Sequence, residues 1–172
     1  MVLVGILKGV VYFFSDLSRL ITIPHSCYFI EASSYHNGQT SGTLSIMGSI
    51  EPSKFAGKNV VLLDELYDNG HTMEQIKQAI HEKASVPLDL IYTYTLFKKN
   101  KQTEKTPDLF GAPVPDVWLV GYGLDDRQEK RNWPVLYACP KIDGIPKTAD
   151  DQIFEDVQSY NQMRTNLLRA LE

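Results

Sequence analysis

Two adjacent carboxylates, Asp64 and Glu65, stand just ahead of a polar turn, Asp68-Asn69-Gly70-His71-Thr72. Hard oxygen donors beside a glycine-centred turn suit a ligand that carries both an anion and hydroxyls. The residues before the acids, Val60-Val61-Leu62-Leu63, are continuously apolar. Such a run fits a strand buried on both faces of a parallel sheet. After the turn, Met73, Ile76, Ala79 and Ile80 recur at helical spacing. A strand, a tight polar turn and a helix N-terminus together make an anion site. Backbone N–H groups and the helix dipole point at the turn, and Gly70 lets the backbone come close to a phosphate. Asp64 and Glu65 cannot bind that phosphate directly, and they suit hydroxyls or a magnesium ion beside it. The plain alternative is an ordinary strand–loop–helix with a solvated acidic turn.

The elements that must hold this stretch follow from the apolar pattern. Val2 to Leu7 reads as a buried strand, and Lys8-Gly9 as a turn. Phe13, Phe14, Leu17, Leu20 and Ile21 mark an amphipathic helix that ends before Pro24. Cys27 to Ile30 is a short strand. It leads into Glu31 to Gly42, a polar Ser- and Gly-rich stretch that reads as a mobile functional loop. Thr43 to Met47 alternates weakly, as a returning strand would, and Pro52 to Lys58 reads as a linker. Leu88 to Phe97 is rich in β-formers. Thr103 to Pro115 reads as an irregular connection, Asp116 to Tyr122 as a strand, Asp125 to Trp133 as a charged loop, and Val135 to Cys139 as a last strand. Asp150 to Leu171 has the pattern of a helix, with Ile153, Val157, Tyr160, Leu167, Leu168 and Leu171 on its apolar side. Strands alternating with helices predict an α/β domain with a mostly parallel central sheet flanked by helices. Ligands in such sheets sit at the carboxyl ends of the strands, so the turns after Leu7, Leu63, Phe97 and Tyr122 are expected to face one cleft.

Composition narrows the class. The chain has 172 residues, enough for one domain with a sizeable core. Its net charge of −4 gives no bulk attraction to nucleic acid. Two cysteines, Cys27 and Cys139, are too few for a disulfide framework or a metal cluster, and they fit a reducing, cytoplasmic setting. Both read as buried apolar residues. No apolar run approaches a membrane span. The segment Met1 to Leu7 lacks a basic lead and is interrupted by Lys8-Gly9, so it reads as a core strand, not a signal peptide.

The run from Val60 to Thr72 resembles the ribose-phosphate-binding motif of the type I phosphoribosyltransferases. That motif is a stretch of apolar residues, two acids, two apolar residues, then Asp-Thr-Gly-x-Thr. The family usually has Glu-Asp where this chain has Asp64-Glu65, and Thr where it has Asn69. Trp118-Leu119-Val120-Gly121-Tyr122-Gly123-Leu124-Asp125 with Arg131 is similar to the purine-binding segment of the hypoxanthine-guanine phosphoribosyltransferases. Leu7-Lys8-Gly9 resembles their first pyrophosphate loop, and Ser33-Ser34-Tyr35 the flexible loop that closes over the reacting centre. The four segments fall in family order across residues 3 to 140.

The resemblance implies roles. Asp68, Asn69, Gly70, His71 and Thr72 would hold the 5′-phosphate, though His71 occupies a variable family position and takes no chemistry of its own. Asp64 and Glu65 would bind ribose hydroxyls or magnesium. Asp68 would also lie near purine N7 as the catalytic general base. Lys98 would donate to the purine O6, Trp118 would stack on the ring, and the backbone at Leu119 would meet the exocyclic group. Lys8, Gly9 and Arg131 would contact pyrophosphate, Asp125 would help hold Mg²⁺, and Ser34 and Tyr35 would belong to the flexible loop. Each has a rival reading. Lys98 sits beside Lys99 and Lys101 and could be solvated. Trp118 could be core, Asp126 could replace Asp125 as ligand, and Arg131 could pair with Glu129. Val10 stands where Gly or Ser is usual, and Asn132 replaces a common Asp.

The expected activity is purine salvage: guanine or hypoxanthine and phosphoribosyl pyrophosphate give the nucleoside 5′-monophosphate and pyrophosphate. The alternatives are a non-catalytic module that senses nucleotides or binds RNA on the same fold, and a xanthine-preferring enzyme. The acidic balance argues against RNA. Residues 1–140 would form the phosphoribosyltransferase core, and residues 141–172 a C-terminal helical extension packed on or beside it. The family's usual N-terminal hood segment would be shortened, absent, missing from this chain, or replaced by that C-terminal helix. A cytoplasmic homodimer or homotetramer with no nucleic-acid or membrane partner is expected.

Overall fold

The computed structural model describes residues 1–34, 44–47, 50–139, 141–142 and 145–146. Its first strand, β1 (Val2–Leu7), begins almost at the first residue and is followed by helix α1 (Val11–Leu20). Strands β2 (Ser26–Ser34) and β3 (Leu44–Met47) come next, then a single helical turn, α2 (Pro52–Phe55). Strand β4 (Val60–Tyr67) carries the paired acids and feeds helix α3 (His71–Ala84). A 3₁₀ turn at Leu88–Leu90 opens β5 (Ile91–Lys99), and β6 (Leu109–Val114) follows.

These strands form one six-stranded sheet in the order β3-β2-β1-β4-β5-β6. The five strands β2, β1, β4, β5 and β6 run parallel, and β3 is antiparallel at the edge. β1 is paired on both sides: Val4 lies beside Tyr28 of β2 and Leu62 of β4. The chain leaves β1 towards β2 and later returns to β4 on the other flank. That reversal opens a crevice at the carboxyl ends of β1 and β4.

The core lies in two layers, one on each face of the sheet. Alternate residues of a strand point to opposite faces. Val2, Val4 and Ile6 therefore pack with Met73, Ile76 and Ile80 of α3, while Leu3 packs with Phe13, Phe14 and Leu17 of α1. β4 does the same, with Val60 and Leu62 on the α3 side and Leu63 on the α1 side. The continuous apolar run of β4 is thus the signature of a strand covered twice. A second, two-stranded sheet of β7 (Trp118–Val120) and β8 (Tyr137–Cys139) adds Leu119 and Ala138 to the α1 layer. A short hairpin of β9 (Lys141–Ile142) and β10 (Ile145–Pro146) follows.

Several boundaries differ from those read in the sequence. The acids Asp64 and Glu65 lie inside β4 instead of after it. β2 extends through Ser34, so Glu31 to Ser34 are strand and not loop, because Glu31 to Ser34 pair with β3. The stretch Thr103 to Pro115 contains β6. Its prolines and exposed Leu109 and Phe110 concealed a strand that tolerates them because it is the sheet's edge. Pro52 to Lys58 includes α2, started by a proline at the first helical position. Asp116 to Tyr122 supplies only the three residues of β7, outside the main sheet. Cys27 is exposed instead of buried. The position of Tyr35, most of the Glu31–Gly42 stretch and the helix expected over 150–171 lie outside the described residues.

Ile76 is fully buried between α3 and the sheet. Ile76→Ala is expected to destabilise the fold by about 2–5 kcal/mol. Urea unfolding should show a lower midpoint with the slope unchanged.

Candidate active site

The turn that begins the site is built by local geometry. Gly70 precedes α3 with φ of 81°, a left-handed conformation that costs glycine little. Asn69 Oδ1 accepts a hydrogen bond from the His71 N–H at 3.1 Å, closing the turn. The Glu74 N–H returns to the Gly70 carbonyl at 3.0 Å as the first helical bond. N–H groups ahead of it have no helical partner, and they carry the positive end of the α3 dipole. Asn69, Gly70 and His71 line a cleft of about 550 Å³ together with Lys101, Lys105, Glu74 and Glu104. Lys105 is paired with Glu74 and Lys101 with Asp68 and Asp116, so the backbone N–H groups at the start of α3 are its distinctive donors.

A second cleft, of about 500 Å³, opens beside β1 and β4. Lys8, Gly9, Asp64, Glu65, Asp125 and Arg131 all line it, together with Glu31 and Gln128. Six residues separated by more than a hundred positions meet here because Gly9 and Gly123 leave room for close approach. A Cβ on Gly9 would overlap the Glu65 carboxylate, and a Cβ on Gly123 would overlap the Gly9 carbonyl. The Leu7–Lys8 peptide in this turn is cis.

The acids in this cleft are short of partners. Glu65 Oε2 is buried with no hydrogen-bond partner. Asp64 Oδ1 accepts the Glu65 N–H at 3.0 Å. Burial, followed by the charge of Glu65, pushes the Asp64 carboxyl well above the usual carboxylate range. Among the described residues no three His, Cys, Asp or Glu side chains converge as a metal cage. Asp125 is held from two sides. Arg131 Nη2 donates to its Oδ1 at 2.7 Å, and the Gln128 N–H donates to its Oδ2 at 2.8 Å. Arg131 also reaches the Gly123 carbonyl at 2.7 Å, so its partner is Asp125 and not Glu129. Asp126 is engaged by Lys130 at 3.1 Å, which leaves Asp125 as the acid on the cleft.

Asp68, at the lip between strand and turn, has the opposite environment. Lys101 donates a short hydrogen bond to its Oδ1, and Lys99 Nζ lies 3.5 Å from the same oxygen. Asp116 closes the cluster, 3.3 Å from Lys99 and 3.7 Å from Lys101. Burial pushes the Asp68 carboxyl up, but the Lys101 hydrogen bond and the two ammonium charges outweigh it and hold it below its ordinary value. Lys98 lies apart from this cluster. Its Nζ is 3.5 Å from the Lys99 carbonyl and 5.9 Å from the centroid of the Phe110 ring. Trp118 is 39% exposed, so it is not core, whereas its neighbour Leu119 is buried. Ser34 ends β2, and Thr72 is the second residue of α3. Lys99, Lys101 and Asp116 were not singled out from the sequence. The only signal was the lysine cluster itself, and strand pairing was needed to show which members turn towards Asp68.

An open parallel sheet with an anion-binding turn after one central strand and a glycine turn after its neighbour defines a phosphoribosyltransferase architecture. A family described as "Phosphoribosyl transferase domain" matches residues 1–127. The chain is 32% identical over 145 residues to a hypoxanthine phosphoribosyltransferase of Salmonella typhimurium, covering 83% of this chain and 80% of that one. It is 35% identical over 137 residues to a hypoxanthine-guanine phosphoribosyltransferase of Aquifex aeolicus, covering 79% and 76%. A solved hypoxanthine phosphoribosyltransferase of Staphylococcus aureus superimposes with a TM-score of 0.64 at 27% identity, over 88% of this chain and 78% of that one. The chain belongs to the phosphoribosyltransferase family, and within it to the hypoxanthine-guanine phosphoribosyltransferases, transferases of purine salvage.

The charge environment of Asp68 sets a pH dependence. A carboxyl held below its unfolded value stabilises the fold fully above that value, about 3.9, and the contribution is lost as pH falls through the folded value. Because the side chain is 47% exposed, solvent screening keeps the effect small. The difference in Tm between the unmutated protein and Asp68→Asn should be present at pH 7 and shrink below about pH 4. Thermal melts across that range measure it.

Proposed function

We propose that this chain joins guanine or hypoxanthine to phosphoribosyl pyrophosphate, giving the nucleoside 5′-monophosphate and pyrophosphate. The observation that carries this reading is the pair of clefts at the carboxyl end of β4, one at the N-terminus of α3 and one lined by Asp64, Glu65 and Asp125, of which Glu65 keeps a buried oxygen without a hydrogen-bond partner. A substrate with a phosphate at one end and hydroxyls and a pyrophosphate at the other matches both. Asp68 to Thr72 hold the 5′-phosphate, with the N–H groups of α3 as donors. Asp64 and Glu65 take the ribose hydroxyls. Lys8, the Gly9 backbone and Arg131 face the leaving pyrophosphate.

The purine sits between Trp118 and the lip of the phosphate turn. N9 supplies the lone pair for the new bond to C1. The C1–O bond breaks with its electron pair going to pyrophosphate, and the proton on N7 passes to Asp68. The Leu119 backbone meets the exocyclic group, and Lys98 donates to O6. Lys98 must turn away from Phe110 to do so, a change open to a half-buried side chain on a strand end.

The acids fit a divalent cation. Glu65 Oε2 is buried and unpartnered, and Asp64 beside it resists ionising without a counter-charge. Asp64, Glu65 and Asp125 are hard oxygen donors suited to Mg²⁺ shared with the substrate's own oxygens. Bound there, magnesium neutralises charge on the pyrophosphate. Among the described residues no helix is long and apolar enough to cross a membrane. We place the enzyme in the cytoplasm as a homodimer or homotetramer, with no nucleic-acid partner.

Two outcomes test this reading. Activity should require magnesium or manganese, while circular dichroism after exhaustive chelation should show the fold intact. Full turnover without divalent ions would remove the metal from the mechanism. Pyrophosphate release against guanine, hypoxanthine, xanthine and adenine should favour the 6-oxopurines. Lysine offers only donors, which adenine's amino group leaves unpaired. Lys98→Ala should relax the guanine-over-adenine ratio of kcat/KM. That ratio can be as large as about 10⁴–10⁵ where a buried polar partner is built in. Trp118→Ala should weaken all purines alike, by roughly 1–3 kcal/mol. An unchanged ratio in Lys98→Ala would overturn the role of Lys98.

A further inference from the structure

Lys101 donates a hydrogen bond to Oδ1 of Asp68, and Lys99 is paired with the same oxygen. The two lysines reach it from β5 and the residues just beyond, while Asp116 comes from the segment that leads into Trp118. Lys99 is nearly buried, with 11% of its side chain exposed, so its ammonium is held in place by the carboxylates it touches. Two ammonium groups thus face two carboxylates, each lysine shared between Asp68 and Asp116.

We propose that Lys101, with Lys99 and Asp116, forms a positioning clamp that holds the Asp68 carboxylate by Oδ1, orients it for the purine N7 and sets how readily it takes a proton. This rests on the reading of Asp68 as the proton acceptor. The clamp has two separable effects. Binding both lysines to one oxygen restrains rotation of the carboxylate, which governs orientation. The balance of charge governs proton affinity. The lysines favour the ionised form of Asp68, and Asp116 draws part of their charge away. The charged groups acting on Asp68 are Lys99 on β5 and Lys101 beyond it, with the positive end of α3 following the turn. Asp116 acts on Lys101 directly. The arrangement also couples the two halves of the site. Asp116 stands two residues before Trp118, so the platform under the purine and the group that receives its proton are tied to the same pair of ammonium groups.

The test is the pH dependence of kcat in Lys101→Met, Lys101→Arg and Asp116→Asn, with Asp68→Asn as reference. Lys101→Met should lower kcat roughly tenfold, the rate equivalent of one charge-assisted contact, and move the acid limb of the profile to higher pH. Asp116→Asn should move that limb to lower pH. Lys101→Arg should return it to the unmutated position. A merely structural role would not shift the two limbs in opposite directions. Limbs that stay in place, or move together, overturn the clamp. So does a rise in KM for phosphoribosyl pyrophosphate at unchanged kcat in Lys101→Met, which would make Lys101 a phosphate ligand of the cleft it lines. Asp68→Asn should lose about 10²–10⁴-fold in kcat. If Asp68→Asn turns over normally, the reading of Asp68 itself fails; if it is impaired while Lys101→Met and Asp116→Asn are silent, only the clamp fails.

Discussion

The site depends on a close stacking of three backbone segments. The Lys8–Gly9 turn lies against β4 at Glu65, and the Gly121–Leu124 turn lies against Gly9. A Cβ at Gly123 would collide with the Gly9 backbone, and one at Gly9 would displace the Glu65 carboxylate. This close fit buries Oε2 of Glu65 under the first turn and brings Asp125 to the rim of the same cleft. The loop of 121–133 is held in this position by its own bonds. Tyr122 N–H meets the Trp133 carbonyl at 2.8 Å, Gly123 N–H meets the Arg131 carbonyl at 2.9 Å, and the Tyr122 hydroxyl donates to Asp16 of α1 at 2.6 Å. The same helix whose apolar face packs the core thus anchors the loop that carries Asp125 and Arg131.

Strand β4 and the residue that follows it carry three acids in two contrasting environments. Asp64 is raised by burial and by its neighbour, while Asp68 is held low by two lysines. Two aspartates four positions apart thereby have opposite proton affinities. The buried Asp64 favours its neutral form, while the acid beyond the strand end is held as an anion by the lysines beside it. The strand supplies the rigidity for this division. Asp64 is paired through its backbone with Thr95, and Tyr67, just before Asp68, is paired with Lys98.

Much of this was legible in the amino-acid sequence, because its signals are local. The apolar run of β4, the acids after it, the glycine turn and the spacing of Met73, Ile76 and Ile80 each depend on neighbours along the chain, and each specifies its element and its chemistry. The buried strand at Val2–Leu7, the helix of Phe13, Phe14 and Leu17, and the ordering of motifs that marks the family are of the same kind. Only the tertiary structure decided what meets across the sheet. Side chains alternate faces along a strand, so which of Lys98, Lys99 and Lys101 turns to Asp68 follows from the strand's pairing and its end, not from composition. The edge position of β6 allowed prolines and exposed apolar residues that elsewhere mean a loop. The choice of Asp125 over Asp126 as the acid on the cleft came from Lys130 taking the other. Arg131 found Asp125 instead of Glu129 because backbone hydrogen bonds folded the loop back on itself. Local patterning determines which groups are present and on which elements. Register, twist and close backbone approach determine which of them touch, and those are properties of segments far apart in the chain.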